Sequence, residues 1–342
     1  MRIALLVTAC LIAAEIRAED LTLENVSKLP RNSADEPIAT RFSLTKGVQF
    51  LDHAALDWTR RRKCFTCHTN FAYLMARPMV DGKSAPHQQV RSKLEALVNT
   101  RWQNEGPRWD AEVVMAAAVL AINDSLTTGA LSASTRQALN RMWTIQRDDG
   151  GFDWLKCDWP PMEIDDDYGV AIAAMAVGAA PDAYAETEPA RRGLAKIRNY
   201  LQANPSPTLH HDAMWIWADS YRGGLLTDQQ RSRTVRQLRS LQKDDGGWSA
   251  ATLADWKRAD DSEQDVDRSD AYGTAFVVFV LQRSGVPASD PAIEQGIAWL
   301  KSNQRQSGRW FSRSLYKDST HYLSHAASAM AVMAIQTADS AR

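Results

Sequence analysis

The chain is short of three things. It has almost no net charge, since 40 Lys and Arg stand against 41 Asp and Glu for a formal −1. No bulk electrostatic attraction to nucleic acid or to an anionic membrane is therefore available. Cysteines number four in 342 residues, too few for a disulfide-stapled scaffold. Beyond Ile3 to Ala14, no run approaches the roughly 18 apolar residues of a membrane span. Aromatic usage is skewed instead, with 12 Trp against 8 Tyr and 8 Phe, a bias that suits repeat packing or an aromatic-lined cavity.

Met1-Arg2, the apolar run Ile3 to Ala14 and small residues near Ala18 read as a signal peptide over residues 1–18. Cleavage after Ala18 implies a periplasmic or secreted protein. Val7-Thr-Ala-Cys10 also fits a lipoprotein cleavage pattern, though the apolar run before Cys10 is short. Removal of Cys10 leaves Cys64, Cys67 and Cys157, an odd number that argues against simple disulfide pairing in an oxidising compartment.

Three stretches repeat: Gln146-Arg-Asp-Asp-Gly-Gly-Phe152, Gln242-Lys-Asp-Asp-Gly-Gly-Trp248 and Gln304-Arg-Gln-Ser-Gly-Arg-Trp310. All fit Gln-x-x-x-Gly-x-aromatic. The pattern predicts a helix end, a glycine in the left-handed conformation and an aromatic that packs back as a pin between outer and inner helices. Gln103 with Gly106 and Trp109 looks like a worn copy, and Gln202 like one that lost its glycines.

Residues 19–40 are polar and read as an extended lead-in outside the core. From Leu44, two kinds of helix alternate. Val90 to Val98, Thr135 to Ile145, Pro189 to Leu201, Thr227 to Leu241 and Pro291 to Asn303 are amphipathic, with apolar residues at three- and four-residue steps. Val113 to Ile122, Val170 to Ala180, Ala275 to Leu281 and Ala326 to Ile335 are apolar nearly all round, hence buried on all sides. A front pair, Leu44 to His53 outside and Cys67 to Met79 inside, completes six. Six outer–inner pairs close into a ring, so the expected fold is an all-α, α/α toroid forming a single domain over residues 41–340.

These turns resemble those of the terpene cyclase and protein prenyltransferase superfamily, especially squalene–hopene cyclase. The likeness runs from about residue 85 to 340. It is most specific in Ser269-Asp-Ala-Tyr-Gly-Thr-Ala275, Gly296-Ile-Ala-Trp-Leu300 and Gly308-Arg-Trp-Phe-Ser-Arg-Ser314. The resemblance implies an isoprenoid ligand. It also implies an alkene-protonating carboxyl, in that family the middle Asp of Asp-x-Asp-Asp at an inner-helix start. Here the matching segment is Glu163-Ile-Asp165-Asp166-Asp167-Tyr168-Gly169. The candidate acids are Asp165, Asp166 and Asp167, with Asp166 or Asp167 foremost. An acid of this kind needs a raised proton affinity, which burial and neighbouring carboxylates supply; a cap on a helix N-terminus is the plainer role. Asp270 and His321 resemble two prenyltransferase zinc ligands, but Tyr272 stands where a cysteine would, so no zinc is expected. Trp109, Trp154, Trp215, Trp248, Trp310 and Phe276 are candidates to shield a carbocation.

Cys64-Phe-Thr-Cys67-His68 matches Cys-x-x-Cys-His, the attachment sequence of c-type haem. Two thiols would hold the haem vinyls and His68 would ligate iron. Met75, Met79 and His53 are candidate sixth ligands. A local Cys64–Cys67 disulfide is the competing reading. His321 and His325 share a helical face, more simply as a structural pair. Two further functions stay open: a non-enzymatic haem scaffold serving a redox partner, and an exported glycan lyase or hydrolase.

Overall fold

The three repeated turns are equivalent clamps, and they set the architecture. Each glutamine Nε2 donates to the carbonyl of the glycine four residues on and to a carbonyl at the next outer helix. Gln146 reaches Gly150 and Gly193, both at 3.1 Å. Gln242 reaches Gly246 and Ala292, both at 2.9 Å. Gln304 reaches Gly308 at 3.1 Å and Ser43 at 2.9 Å. Gly150, Gly246 and Gly308 have φ of 92°, 84° and 93°, a region that favours glycine. A Cβ on Gly308 would lie 2.1 Å from the Lys46 carbonyl oxygen. The glycine therefore supplies both the turn and the close approach. The clamps join consecutive outer helices, and two of the turn aromatics pin outer to inner as expected. Trp248 and Trp310 donate their indole N–H to outer-helix carbonyls at 2.7 Å and their backbone N–H to Thr274 and Ser328 of inner helices at 2.9 Å.

The computed structural model describes residues 21–62, 64–318 and 323–341. The signal-peptide segment and His321 lie outside them. The helices follow in pairs, outer before inner. Helix α1 (Leu44–Arg61) precedes a π turn (Cys67–Phe71) that runs into α2 (Ala72–Ala76) and α3 (Pro78–Asp81). Helix α4 (Ala85–Ala96), a second π turn (Leu97–Arg101) and α5 (Trp102–Asn104) precede α6 (Asp110–Thr127). Then α7 (Ala133–Thr144) precedes α8 (Asp166–Ala179), and α9 (Glu188–Ala203) precedes α10 (Leu209–Asp219). Last come α11 (Asp228–Ser240) before α12 (Ala271–Arg283), and α13 (Pro291–Ser302) before α14 (Leu323–Ser340).

The inner helices form a closed ring. Helix α6 packs on α8, α8 on α10, α10 on α12, α12 on α14, α14 on α2 and α2 on α6. Their sequences require this. Every residue of α12 from Ala271 to Leu281 is buried, whereas outer α9 buries only Ala190, Gly193, Leu194, Ile197 and Tyr200. A helix with no polar face needs neighbours all round; one with a single apolar stripe needs one wall. Among the described residues β pairing amounts to two isolated bridges, Ile38 with Arg305 and Trp159 with Glu163. The chain is an α/α toroid.

Two local expectations change. The lead-in is a strap on the ring: Val26 is buried, and Leu29 N–H donates to Asp57 at 3.0 Å. Farther along, Ala39 N–H donates to the Gln304 carbonyl at 2.7 Å, and Glu36 pairs with Arg309 at 2.7 Å. Its polar backbone is tied down by side chains and carbonyls of the ring, which composition alone does not reveal. The worn copy is no clamp, since a Cβ on Gly106 would meet nothing within 4 Å and Trp109 is 52% exposed.

Candidate active-site rim

The first turns of neighbouring inner helices meet along one rim. Asp165, the cap of α8, accepts from His211 Nε2 of α10 at 3.0 Å. His210 Nε2 lies 3.0 Å from the Tyr272 hydroxyl of α12. Ser312 Oγ accepts from Tyr272 N–H at 2.7 Å, while Ser312 N–H donates to Ser324 Oγ of α14 at 2.9 Å. Thr69 Oγ1 bridges His68 Nδ1 and His325 Nδ1, each at 3.0 Å, joining the last inner helix to the first.

The four acidic candidates separate by environment. Asp165 Oδ1 takes Tyr168 N–H at 3.3 Å as well as His211. His211 is itself fixed, with Nδ1 at 2.7 Å from Thr208 Oγ1. Asp166 accepts from Arg147 at 2.9 Å, Trp154 N–H at 3.1 Å and Lys156 at 3.3 Å. Burial pushes its carboxyl up, but these donors outweigh burial and hold it below the usual carboxylate range. Asp166 is a structural anchor for the loop that precedes α8. Burial, with Asp165 beside it, raises the Asp167 carboxyl. Asp270 caps α12: its oxygens accept from Ala250, Tyr272 and Gly273 N–H at 2.6, 2.8 and 3.0 Å and from Ser312 Oγ at 3.0 Å. Four donors make it the cap of α12, while burial raises its carboxyl against them.

Glu163 gained no separate role from sequence. Its carboxyl is raised by burial, and its charge is felt at Cys67, Cys157 and Tyr168. It sits in a loop closed by its own backbone, with Cys157 N–H donating to the Glu163 carbonyl at 3.0 Å.

Behind the rim lies an aromatic cluster that sequence reasoning did not assemble. His210 is fully buried and stacks on Phe276 at 4.5 Å, with Tyr272 and Tyr168 parallel to it and Trp256 edge-on. Burial first, and His211 second, push its imidazole well below the ordinary value, so it is neutral. His210 Nδ1, Trp256 Nε1 and Trp215 Nε1 are buried without partners. The signal available was His210-His211 at an inner-helix start. Of the predicted aromatic shield, Phe276 belongs to this cluster and Trp154 reaches its Tyr168 ring at 5.6 Å. Trp248 and Trp310 donate at 2.7 Å to the Leu238 and Leu300 carbonyls, and Trp154 donates at 2.7 Å to the Met162 carbonyl.

Cys64 and Cys67 are both free thiols. Cys64 fronts a groove of about 410 Å³ beside Phe65 and Leu97. Cys67 is buried, and burial pushes its thiol well up. His68 packs edge-on against Trp58 at 5.7 Å. Met75 is buried in the core, and Met79 packs partly buried against it; His53 Nε2 is instead 2.8 Å from the Ser27 carbonyl oxygen of the strap. A larger cavity, about 890 Å³, opens on the rim between the strap, the loop before α12 and the loop after the third clamp. Asp270 and His325 lie on its wall.

With this geometry in place, residues 225–337 match the family model described as squalene-hopene cyclase C-terminal domain. The matched region runs from the turn before α11 into α14 and holds two of the three clamps. This third of the chain is squalene–hopene-cyclase-like. Solved structures extend the fold likeness. A type II terpene cyclase from Scytonema, in complex with geranylgeranyl dihydroxybenzoate, superposes with a TM-score of 0.54 at 12% identity, covering 87% of this chain and 99% of that one. ent-Copalyl diphosphate synthase from Streptomyces platensis gives 0.53 at 16% identity, covering 79% of this chain; this chain spans only half, 50%, of its length. An α-1,6-mannanase from Salegentibacter, in complex with α-1,6-mannotriose, also gives 0.53, at 9% identity over 86% of this chain. The toroid is thus common to cyclases and a glycan hydrolase, and chemistry must be argued from the site. No curated protein matches the chain by sequence.

Proposed function

We propose that this is an exported, squalene–hopene-cyclase-like toroid that acts on an isoprenoid by acid-initiated cyclisation, with Asp165 as the acid. The observation that carries this is the Asp165–His211 pair at 3.0 Å, fixed through Thr208. In the proposed step, the Asp165 carboxyl proton passes to an alkene carbon and the π pair becomes the new C–H bond. The cation left on the neighbouring carbon is taken up by a further alkene of the same chain, and loss of a proton ends the sequence. His211 positions Asp165, and the proton lost at the end of the sequence passes to water, from which the carboxylate is reprotonated. The neutral face of His210 with Tyr168, Tyr272 and Phe276 offers π density to a cation. A glycan hydrolase would need two carboxyls facing one sugar.

The test is product analysis by gas chromatography with squalene and geranylgeraniol. Wild-type protein should give cyclised hydrocarbon and Asp165→Asn none, with the Asp166→Asn variant retaining turnover if folded. Equal turnover by Asp165→Asn would remove the acid assignment.

We further propose a covalent c-type haem on Cys64 and Cys67 with His68 as iron ligand. The donor set supports it: two free thiols three residues apart, and a histidine whose Nδ1 is engaged by Thr69 at 3.0 Å and Thr66 at 3.3 Å. Engagement of one ring nitrogen orients the other for a metal. Such a group, when bound, would supply one-electron chemistry or small-molecule binding. Export with haem-maturation machinery should give a haemochrome band that Cys64→Ser/Cys67→Ser loses. Absence of a covalent haem band in the wild type would remove the assignment.

A further inference from the structure

The aromatic cluster is shut off from solvent. Tyr168, His210, Trp256, Tyr272 and Phe276 are all buried, and none of them lines the rim cavity. A ligand can meet these rings only when a segment of the rim moves. The segments around the cluster are tied down unequally.

Two of them are joined to each other. In the loop before α12, Ala259 N–H donates to the Tyr316 carbonyl at 2.8 Å. Gln264 Nε2 donates to the carbonyls of Trp256 and Leu315 at 3.0 and 2.9 Å. The Arg258 side chain is fully buried and pairs with Asp318 at 2.9 Å. These bonds make residues 256–264 and 314–318 one flap, and Trp256 carries that flap onto the cluster.

Residues 155–164 are held differently. Cys157 N–H donates to the Glu163 carbonyl and Glu163 N–H to the Trp159 carbonyl, both at 3.0 Å. Trp154 Nε1 donates to the Met162 carbonyl at 2.7 Å, and Lys156 reaches Asp166 at 3.3 Å. Among the described residues no hydrogen bond of this segment goes to another rim loop. It meets the flap through the rings of Trp159 and Tyr316, with centroids 5.4 Å apart. Its other edge lies on the cluster, since Met162 is buried and Trp154, which holds it, packs 5.6 Å from Tyr168. A segment whose hydrogen bonds are its own keeps them when it swings, whereas the flap would break several.

We propose that residues 155–164 are the lid of the aromatic cluster and that the Trp159–Tyr316 ring pair is its latch. Cys67 reports its movement. That thiol is buried, and Glu163 and Cys157 of the lid stand close enough for their charges to add to burial in raising it. A reagent in solution reaches Cys67 when the lid lifts. The lid does not depend on the isoprenoid reading; the ligand used to probe it does.

Alkylation of Cys67 by N-ethylmaleimide, followed by mass spectrometry, tests the lid. The full chain is produced without haem-maturation machinery, with Cys64→Ser and Cys157→Ser so that one thiol reacts. Trp159→Ala and Tyr316→Ala should each speed alkylation at least ~3-fold, the order expected for loss of one aromatic pair, at an unchanged melting temperature. Combined, they should do no more than either alone, because both break the same contact. Trp159→Phe keeps a ring and should stay near the wild-type rate. Stopped-flow fluorescence with squalene reads the same gate: Trp159→Ala should raise the association and dissociation rates by one factor and leave Kd unchanged. Unchanged alkylation in the two alanine variants, additive effects, or faster alkylation only with a lowered melting temperature would overturn the lid. A weaker Kd for squalene in Trp159→Ala would overturn the latch and make Trp159 part of the binding wall. If squalene does not bind the wild type, the isoprenoid reading loses its support and the alkylation rates still decide the lid.

Discussion

Gln304 and Ser43, 261 residues apart, exchange two hydrogen bonds: Ser43 N–H donates to Gln304 Oε1 at 2.8 Å, and Gln304 Nε2 donates to the Ser43 carbonyl at 2.9 Å. This is the same clamp that Gln146 and Gln242 make to the next outer helix. Here the next helix is the first one. The third repeat therefore closes the ring, with Trp310 lying on Gly47, where a Cβ would come within 2.8 Å of its ring.

Gln304→Ala should destabilise the toroid by about 2–4 kcal/mol, because a buried side chain loses three hydrogen bonds and leaves backbone partners unmade. Urea unfolding measures it. Gln202→Ala, outside any clamp, is the control and should change stability by less than about 0.5 kcal/mol. Equal effects would mean that the ring does not depend on this closure.

His210 gives stability a dependence on acid. Its folded value lies well below the ordinary 6.5 because of burial and His211. A depressed value means that stability is full above pH 6.5 and falls as pH drops, since the unfolded chain takes the proton more readily. His210→Phe keeps an aromatic in the stack with Tyr272 and Phe276. Between pH 7 and pH 5 it should lose less stability than the wild type, read as the shift in melting temperature. Parallel losses would show that another group titrates.

Glu163 predicts the opposite slope. Burial raises its carboxyl above 4.5, so its contribution is full below that pH and is lost as pH rises through the higher folded value. Glu163→Gln cannot ionise. It should match the wild type at pH 4 and melt higher at pH 7.5. A variant that melts lower at both values would mean that the carboxyl, once ionised, has a partner.

Arg147→Met tests the assignment of Asp166 as an anchor. The pair is only partly shielded, with Arg147 at 28% and Asp166 at 17% side-chain exposure, so the loss at pH 7 should be about 1–2 kcal/mol. Because Asp166 titrates below the ordinary 3.8, that loss should shrink as pH falls past this range. Chemical denaturation at pH 7 and pH 3 checks it; a constant loss would assign the effect to packing.

The architecture was legible in the chain because helix burial writes itself into periodicity. The unbroken apolar run Ala275 to Leu281 can only be an inner helix, the striped Pro189 to Leu201 only an outer one, and three spaced Gln-x-x-x-Gly turns mark the repeats. What the turns hold together was not legible: a hydrogen bond from Gln304 to Ser43 spans 261 residues, and no local pattern names its partner. The site divides in the same way. An acidic run before α8 was visible, but Asp165, Asp166 and Asp167 are adjacent and chemically identical in sequence. Only folding gives Asp165 a histidine, Asp166 an arginine and Asp167 a buried place beside another carboxylate. Proton affinity depends on neighbours and solvent access, and these are decided where separate helices meet.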